Sequence, residues 1–173
     1  MPKLSDNKLV PIAILGLLTG TLDAIAAIII SYPVAPAAIF KYIASGLFGG
    51  VAFTGSNMIL WGILFHYIIA TFFSAAFFSL HPQFRMLIKN KYFWGIIYGL
   101  LIWVVMNIAV LPLTNVPKQP EQLHTNWMGI FKGMAVLIIC LGLPISFVAD
   151  RFYIKKARRR SRRHRAGTSH RQH

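Results

Sequence analysis

Three polar side chains interrupt long apolar stretches of this sequence: Asp23, His66 and Asn107. A carboxylate and an imidazole can take up and release protons, and an amide can hold either group by hydrogen bonding. An ionisable group at mid-bilayer costs about 2.5–3.5 kcal/mol on insertion scales, so it tends to face protein and to have a partner. If the apolar stretches cross a membrane, the three residues are candidates for one polar site.

The depth of these residues supports that hypothesis. At 1.5 Å per residue, each lies about 21–22 Å from the cytoplasmic end predicted for its own stretch, which predicts a shared layer in the outer half of the bilayer. The layer could be a functional, proton-responsive site. It could equally be structural, since an interhelical hydrogen bond in a membrane is worth about 0.6 kcal/mol. Lys132 could form an ion pair with Asp23 or extend to the outer surface.

The composition is that of a membrane protein. Of 173 residues, 56% are hydrophobic and 13% charged, against about 25% charged in an ordinary soluble domain. Four apolar stretches reach the roughly 20 residues that a helix needs to cross the hydrocarbon core. They lie at about 9–30, 56–80, 92–113 and 127–149. The sequence predicts an all-α integral membrane protein, with four transmembrane helices in an antiparallel bundle over residues 1–153.

The orientation follows from the distribution of basic residues. Ten of the 18 Lys and Arg lie in the last 23 residues, and Arg85, Lys89 and Lys91 lie between the second and third spans. Cytoplasmic segments of membrane proteins carry such an excess. The N-terminus and C-terminus are therefore predicted to be cytoplasmic. The first apolar run, of about 22 residues, is longer than the 7–15 typical of a signal peptide, which predicts a retained span.

The segment at about 35–49 is too short, and too rich in glycine toward its end, to span the bilayer alone. Ile39, Phe40, Ile43 and Leu47 would share one face of a short helix there. The sequence predicts an interfacial or a re-entrant helix on the outer side and leaves these two alternatives open.

Small residues occur in all four spans, three of which have glycines four residues apart. Lipid supplies little hydrophobic drive for helix association, so close approach at small residues has to bring helices together. The pattern predicts a tight bundle and a homo-oligomer, without separating contacts within one chain from contacts between chains. The predicted packing glycines are Gly16, Gly20, Gly62, Gly95, Gly99, Gly129 and Gly133.

The basic segment at 154–173 is predicted to be a disordered cytoplasmic tail. Basic residues near a bilayer gain about 1 kcal/mol each from anionic lipid head groups, which makes such lipid the predicted partner. Nucleic acid is disfavoured, because no aromatic residue follows Tyr153 in the tail and no groove-reading fold is present. The residues predicted to contact anionic lipid are Arg158, Arg159, Arg160, Arg162, Arg163 and Arg165.

Motifs of enzymes and metal sites are absent from the sequence. It contains no H-E-x-x-H, C-x-x-C, P-loop or G-x-S-x-G pattern. Its one cysteine, Cys140, lies in an apolar run and has no partner for an intrachain disulfide. We therefore expect no enzymatic activity, no cofactor and no metal site.

Three segments resemble one family of membrane proteins. They are "GLLTGTLDAIAA", "WGILFHYIIATFFSAAFFSL" with its mid-span His66, and "YGLLIWVVMNIAVLPLTNVP". From about Leu9 to Tyr153 the chain is similar to the YagU-type inner-membrane proteins of bacteria, a family without an established activity. The Arg-rich tail lies outside the resemblance, and the segment after the first span is shorter than the family pattern. The resemblance implies a multi-pass protein of the bacterial inner membrane.

Two hypotheses for function follow from these features. The first is a small transporter or channel-like protein, acting as an oligomer, with Asp23 and His66 as its polar or proton-responsive site. The second is a non-catalytic membrane scaffold or lipid-interacting protein that acts through its basic C-terminal tail.

Overall fold

The computed structural model describes residues 8–87, 90–116 and 127–169, except for the side chains at 84–87 and 159–169. No strand occurs within these ranges. The α-helices are α1 (Leu9–Ile30), α2 (Pro36–Phe48), α3 (Met58–Leu87), α4 (Lys91–Val104), α5 (Leu111–Leu113), α6 (Trp127–Leu137) and α7 (Leu143–Ser169). Two π-helical segments connect them, π1 (Val105–Val110) between α4 and α5 and π2 (Ile138–Gly142) between α6 and α7, and a 3₁₀ turn (Gly49–Phe53) follows α2.

Five helical stretches are long and apolar enough to cross a membrane. They are Leu9–Ile30, Pro36–Phe53, Met58–Gln83, Lys91–Leu113 and Trp127–Arg158. The predicted all-α class is confirmed for the described part of the chain. The number of stretches exceeds the four predicted spans by one, because the segment containing α2 also meets the length and hydropathy of a span.

Helix α3 extends past residue 80, where the second span was predicted to end. It continues through Pro82 to Leu87. Its last turns pack against α7, since the His81 ring stacks on Tyr153 at 4.8 Å and 9°, and the Phe78 ring lies 5.7 Å from that of Phe152. These contacts stabilise turns that hydropathy alone does not favour.

The basic segment also differs from its prediction. The sequence predicts disorder from residue 154, whereas the backbone is helical through Ser169. No proline or glycine interrupts residues 145–166, and arginine is a good helix former, so the last helix continues from its apolar part into the basic part. Residues 170–173 lie outside the described residues.

The helices associate as two antiparallel pairs. In the first pair, Gly16 and Gly20 of α1 face Thr71 and Tyr67 of α3. Since the partner number falls as the α1 number rises, these two helices run in opposite directions. The start of α1 at Lys8 is one end of this pair, called the Lys8 end below, and its finish at Ile30 is the Ile30 end.

The second pair joins α4 to the last helix. Gly95 faces Gly142 and Leu143, and Gly99 faces Ile138, so this pair is also antiparallel. The Ser146 hydroxyl donates to the carbonyl of Lys91 at 2.7 Å, which fixes the start of α4 level with the second turn of α7.

The hydrophobic core lies toward the Lys8 end. Tyr98 connects the two pairs there, because its hydroxyl donates to the Phe73 carbonyl at 2.6 Å and its ring lies 4.7 Å from Phe77. No residue of π1, α5 or α6, all of which the structure describes, is buried. At the Ile30 end, burial is confined to α2, the 3₁₀ turn and the helices they contact, as at Ala44, Ser45 and Ala52, while π1, α5 and α6 are loosely packed. The core consists of Leu15, Phe73, Phe77, Phe78, Tyr98, Ile102, Leu141, Ile145 and Ala149.

Helix α2 crosses the first turns of α3. The Phe40 carbonyl lies against Gly62, and the ring of Phe48 lies 5.7 Å from Trp61 and 6.0 Å from Phe65. With the contact between the Phe40 and His66 rings, these contacts extend over about 12 Å along α2 but only about 8 Å along α3, at 1.5 Å per residue. Helix α2 therefore does not run alongside α3 for its length.

Candidate functional site

His66 of α3 is bound to the backbone of α1. Its Nε2 lies 2.8 Å from the carbonyl oxygen of Gly20. A carbonyl only accepts hydrogen bonds, so Nε2 carries a proton and donates it, which leaves Nδ1 as the nitrogen that can gain or lose a proton. Glycine at position 20 allows this approach, because a Cβ there would lie 2.8 Å from the Tyr67 ring beside His66.

Asp23 lies one turn beyond Gly20 on the same face of α1. It is half-buried and lies three residues past Gly20, whose carbonyl His66 Nε2 contacts. No salt bridge or direct hydrogen bond joins Asp23 to His66 among the described residues. The structure thus brings Asp23 and His66 together near the boundary between the packed core and the looser Ile30 end.

Asn107 is not part of this group. Its Nδ2 donates to the Trp103 carbonyl of its own helix at 2.9 Å, and no hydrogen bond joins it to Asp23 or His66, which are also described. The depth prediction for Asn107 assumed that the helices start at one level. However, α4 and α1 start at different levels. Tyr153 lies level with the start of α1, because its ring is under Lys8. The start of α4 lies level with Ser146, seven residues or about 10 Å from Tyr153 along α7. Asn107 consequently lies further toward the Ile30 end.

Lys132 lies away from Asp23. Its side chain is exposed on α6, and both residues are described without a salt bridge between them. The structure thus does not contain the ion pair with Asp23, and the extension of Lys132 to the outer membrane surface stays a prediction.

Five predicted packing glycines lie where a side chain has no room. A Cβ at Gly16 would meet Thr71, at Gly62 the Phe40 carbonyl, and at Gly99 the Ile138 Cα. Gly20 and Gly95 have neighbours within 2.8 Å of such a Cβ. Gly133 is less confined, with Trp103 Nε1 at 3.3 Å, and Gly129 is exposed. Gly142, which the sequence analysis did not single out, is among the most confined, since a Cβ there would meet the Gly95 carbonyl.

The predicted lipid-contact residues fall mainly outside the described side chains. Arg158 is exposed on α7. The side chains of the other five, Arg159, Arg160, Arg162, Arg163 and Arg165, are not among those described.

A second aromatic and basic cluster at the Lys8 end was missed from sequence. The Tyr153 hydroxyl donates to the Phe78 carbonyl at 2.6 Å, and its ring stacks on the buried His81 and lies 5.5 Å from Lys8 Nζ. His81 lies just beyond the predicted end of its span, at residue 80. Only the arrangement of three helices brings these residues together.

No group of three or more His, Cys, Asp or Glu residues within the described ranges is arranged to hold a metal ion. Comparison of the chain with models of protein families, with curated proteins and with solved structures finds no match. The resemblance to YagU-type proteins therefore stays a prediction. The class of the molecule, a helical membrane protein, rests on its five apolar helices.

Proposed function

We propose that the chain is a proton-responsive membrane transporter or channel-like protein in which Asp23 and His66 form the protonatable site. The observation on which this rests is the hydrogen bond from His66 Nε2 to the Gly20 carbonyl, with Asp23 one turn away on the same helix face. Ionisable residues within membrane-spanning helices face the protein interior or a water-filled cavity and mark ion pathways and proton relays. His66 exchanges its proton through Nδ1, and Asp23 is the nearby carboxylate that can receive or supply it.

Self-association completes this proposal. A bundle whose π1, α5 and α6 contain no buried residue encloses little volume at the Ile30 end. A homo-oligomer would surround the site with further helices and separate it from lipid. The YagU-type resemblance and a bacterial inner-membrane location are part of the same proposal.

The transmembrane topology in this proposal has four spans, with α2 at the membrane surface. The register of α1 against α3 places Ile30 and Met58 at one end of the bundle. The segment between Ile30 and Met58 therefore starts and finishes on the same side of the membrane. Such a segment crosses the bilayer either not at all or an even number of times, and its single helix α2 is too little chain for two crossings. The crossing of α2 over the first turns of α3 supports the same arrangement. Basic residues then place the N-terminus and C-terminus on the cytoplasmic side.

Thiol labelling tests the four-span topology. In a Cys140→Ser background, Tyr32→Cys and Asn57→Cys flank the segment that contains α2, so both should react with a membrane-impermeant maleimide added outside intact cells. Arg158→Cys, exposed on α7, should react only after the membrane is opened. Labelling of only one of positions 32 and 57 from outside would show that α2 crosses the bilayer and would overturn the four-span model.

Proton flux into liposomes tests the protonatable site. The purified protein is reconstituted with an internal pH-sensitive dye, and a potassium gradient with valinomycin drives proton entry. Asp23→Asn and His66→Gln keep the approximate shape of each side chain but remove its proton exchange. Each should lower the flux on the order of a hundredfold, the lower end of what a positioned proton-transfer group contributes.

The matched control for loss of a charge is Lys132→Gln, because Lys132 is exposed and unpaired with Asp23. Its flux should equal that of the unmodified chain, and all variants should unfold at similar temperatures in detergent. A structural Asp23 gives another pattern: Asp23→Asn has normal flux and Asp23→Leu loosens the bundle. That pattern would reject the proton-site proposal.

A second role is favoured by the continuity of α7. The helix passes from the bundle into the basic segment without a break and ends at Ser169. The first basic residues of this segment, Lys155, Lys156 and Arg158, lie within about 8 Å of Tyr153 along the helix, where anionic head groups can attract their charges. If the unmodified chain conducts no protons, a lipid-interacting scaffold is the function that this feature supports.

A further inference from the structure

The first half of α2 lies against the His66 ring. The ring of Phe40 meets that of His66 edge-on, with centroids 6.3 Å apart and planes at 80°. The Phe40 carbonyl also lies on Gly62, one turn before His66, where a side chain would prevent the contact. Helix α2 therefore borders the imidazole, whose Nε2 contacts the α1 backbone.

The end of α2 is held by a residue from a distant part of the chain. Asn115, beyond α5, donates its backbone N–H to the Gly46 carbonyl at 2.9 Å and its Nδ2 to the Leu47 carbonyl at 3.2 Å. Both acceptors belong to the last turn of α2, whose carbonyls have no partners within their own helix. Asn115 thus satisfies orphan acceptors and connects α2 to the fourth span.

The segment that presents Asn115 is weakly packed. It follows π1, and π-helical segments replace regular helical hydrogen bonds and often mark functional sites. Neither π1 nor α5 contains a buried residue, and Leu113 is 87% exposed. Because core packing contributes little here, the hydrogen bonds of Asn115 account for a substantial part of what holds this end to α2.

We infer that α2 is a lid over His66 and that Asn115 is the latch that keeps it closed. The Phe40 carbonyl on Gly62 and the Phe48 ring on Trp61 also hold α2 on α3. Asn115 adds to these contacts. When the two Asn115 hydrogen bonds break, the last turn of α2 separates from the fourth span and the lid opens more often, and in the open state the Phe40 edge leaves the imidazole. Water from the Ile30 end then reaches Nδ1. The role of the lid rests on the proposed function, because the lid would control access to the proposed proton site. The opening of the lid can nevertheless be measured without measuring transport.

Chemical modification of His66 measures the opening. The chain in nanodiscs is treated with diethylpyrocarbonate at fixed pH, and mass spectrometry of the peptides gives separate reaction rates for His66 and His81. Asn115→Ala removes the side-chain bond to Leu47, and Asn115→Asp keeps the shape while removing the donor. Each should raise the His66 rate about fivefold, the effect of one net hydrogen bond on an opening equilibrium. The His81 rate should not change, because His81 is buried in the core near the Lys8 end.

Asn57→Ala is the matched control, since Asn57 is an exposed asparagine beside the same end of α3 and its side chain makes no hydrogen bond within the described residues. It should leave both rates unchanged. An unchanged His66 rate in the Asn115 variants would overturn the lid, and so would a joint rise at His66 and His81, which indicates general loosening. Absence of proton flux with a normal lid response rejects the proposed function alone.

Discussion

Replacing Gly142 with valine should strongly destabilise the bundle. A Cβ at this position would meet the Gly95 carbonyl and would lie 2.9 Å from the Gly99 amide nitrogen and 3.0 Å from its Cα. These are backbone atoms of α4, which cannot rotate away as a side chain could. Overpacking typically costs 1–3 kcal/mol, so about 3 kcal/mol or more is expected here. Thermal unfolding in detergent, followed by circular dichroism, measures the loss.

Gly50→Ala is the control for the loss of a glycine. A Cβ there has no neighbour within 4 Å, and its backbone does not adopt the left-handed conformation. Its stability should stay within about 0.5 kcal/mol of that of the unmodified chain, as for most surface substitutions. Equal effects of Gly142→Val and Gly50→Ala would show that α4 and α7 do not approach each other as closely as the glycine contacts indicate.

The close helix contacts were largely predictable from the sequence. In a membrane, helices approach where side chains are smallest, so Gly16, Gly20, Gly95 and Gly99 identify their own interfaces. Which helix each glycine meets is not encoded locally. Gly142 was missed because the small residue four positions after it is Ser146 and not a second glycine, although both contact α4.

The sequence predicted one depth for Asp23, His66 and Asn107, whereas in the structure Asn107 lies further toward the Ile30 end than the other two. The estimate measured each residue from the end of its own span, which is correct only if the spans start at one level. The hydrogen bond from Ser146 to Lys91 shows that α4 starts nearer the Ile30 end than α1 does. Such offsets between helices depend on tertiary contacts, which hydropathy does not contain.

The role of α2 also depended on contacts between distant segments. Sequence predicted a short helix near 35–49 and left its position open, since its apolar face suits lipid and protein equally. Its relation to His66 arises from Phe40, and its attachment to the fourth span from Asn115, 68 residues away from Leu47. Neither residue type forms a recognisable motif at that separation.

Phe77→Ala should lower stability far more than Phe72→Ala, although both replace phenylalanine in one helix. Phe77 is completely buried, with ring contacts to Tyr98 at 4.7 Å and His81 at 5.7 Å, whereas Phe72 is 64% exposed on the outer surface of α3. Lipid is as apolar as the core, so transfer from water contributes little and the cost comes from lost packing. The cavity at position 77 should cost about 3 kcal/mol, the lower end for buried phenylalanine in soluble proteins.

Phe72→Ala should change stability by less than about 0.5 kcal/mol, because lipid or detergent replaces the ring without leaving a cavity. Both variants are unfolded by heat in the same detergent, with proton flux of the reconstituted proteins as a second measurement. Comparable losses would mean that the surface bearing Phe72 is covered, as it would be at a contact between copies in a homo-oligomer. Crosslinking of Phe72→Cys between copies, in the Cys140→Ser background, would then identify that contact directly. A loss of stability in Phe77→Ala alone would instead show that Phe77 lies in the core of the bundle and that Phe72 faces lipid.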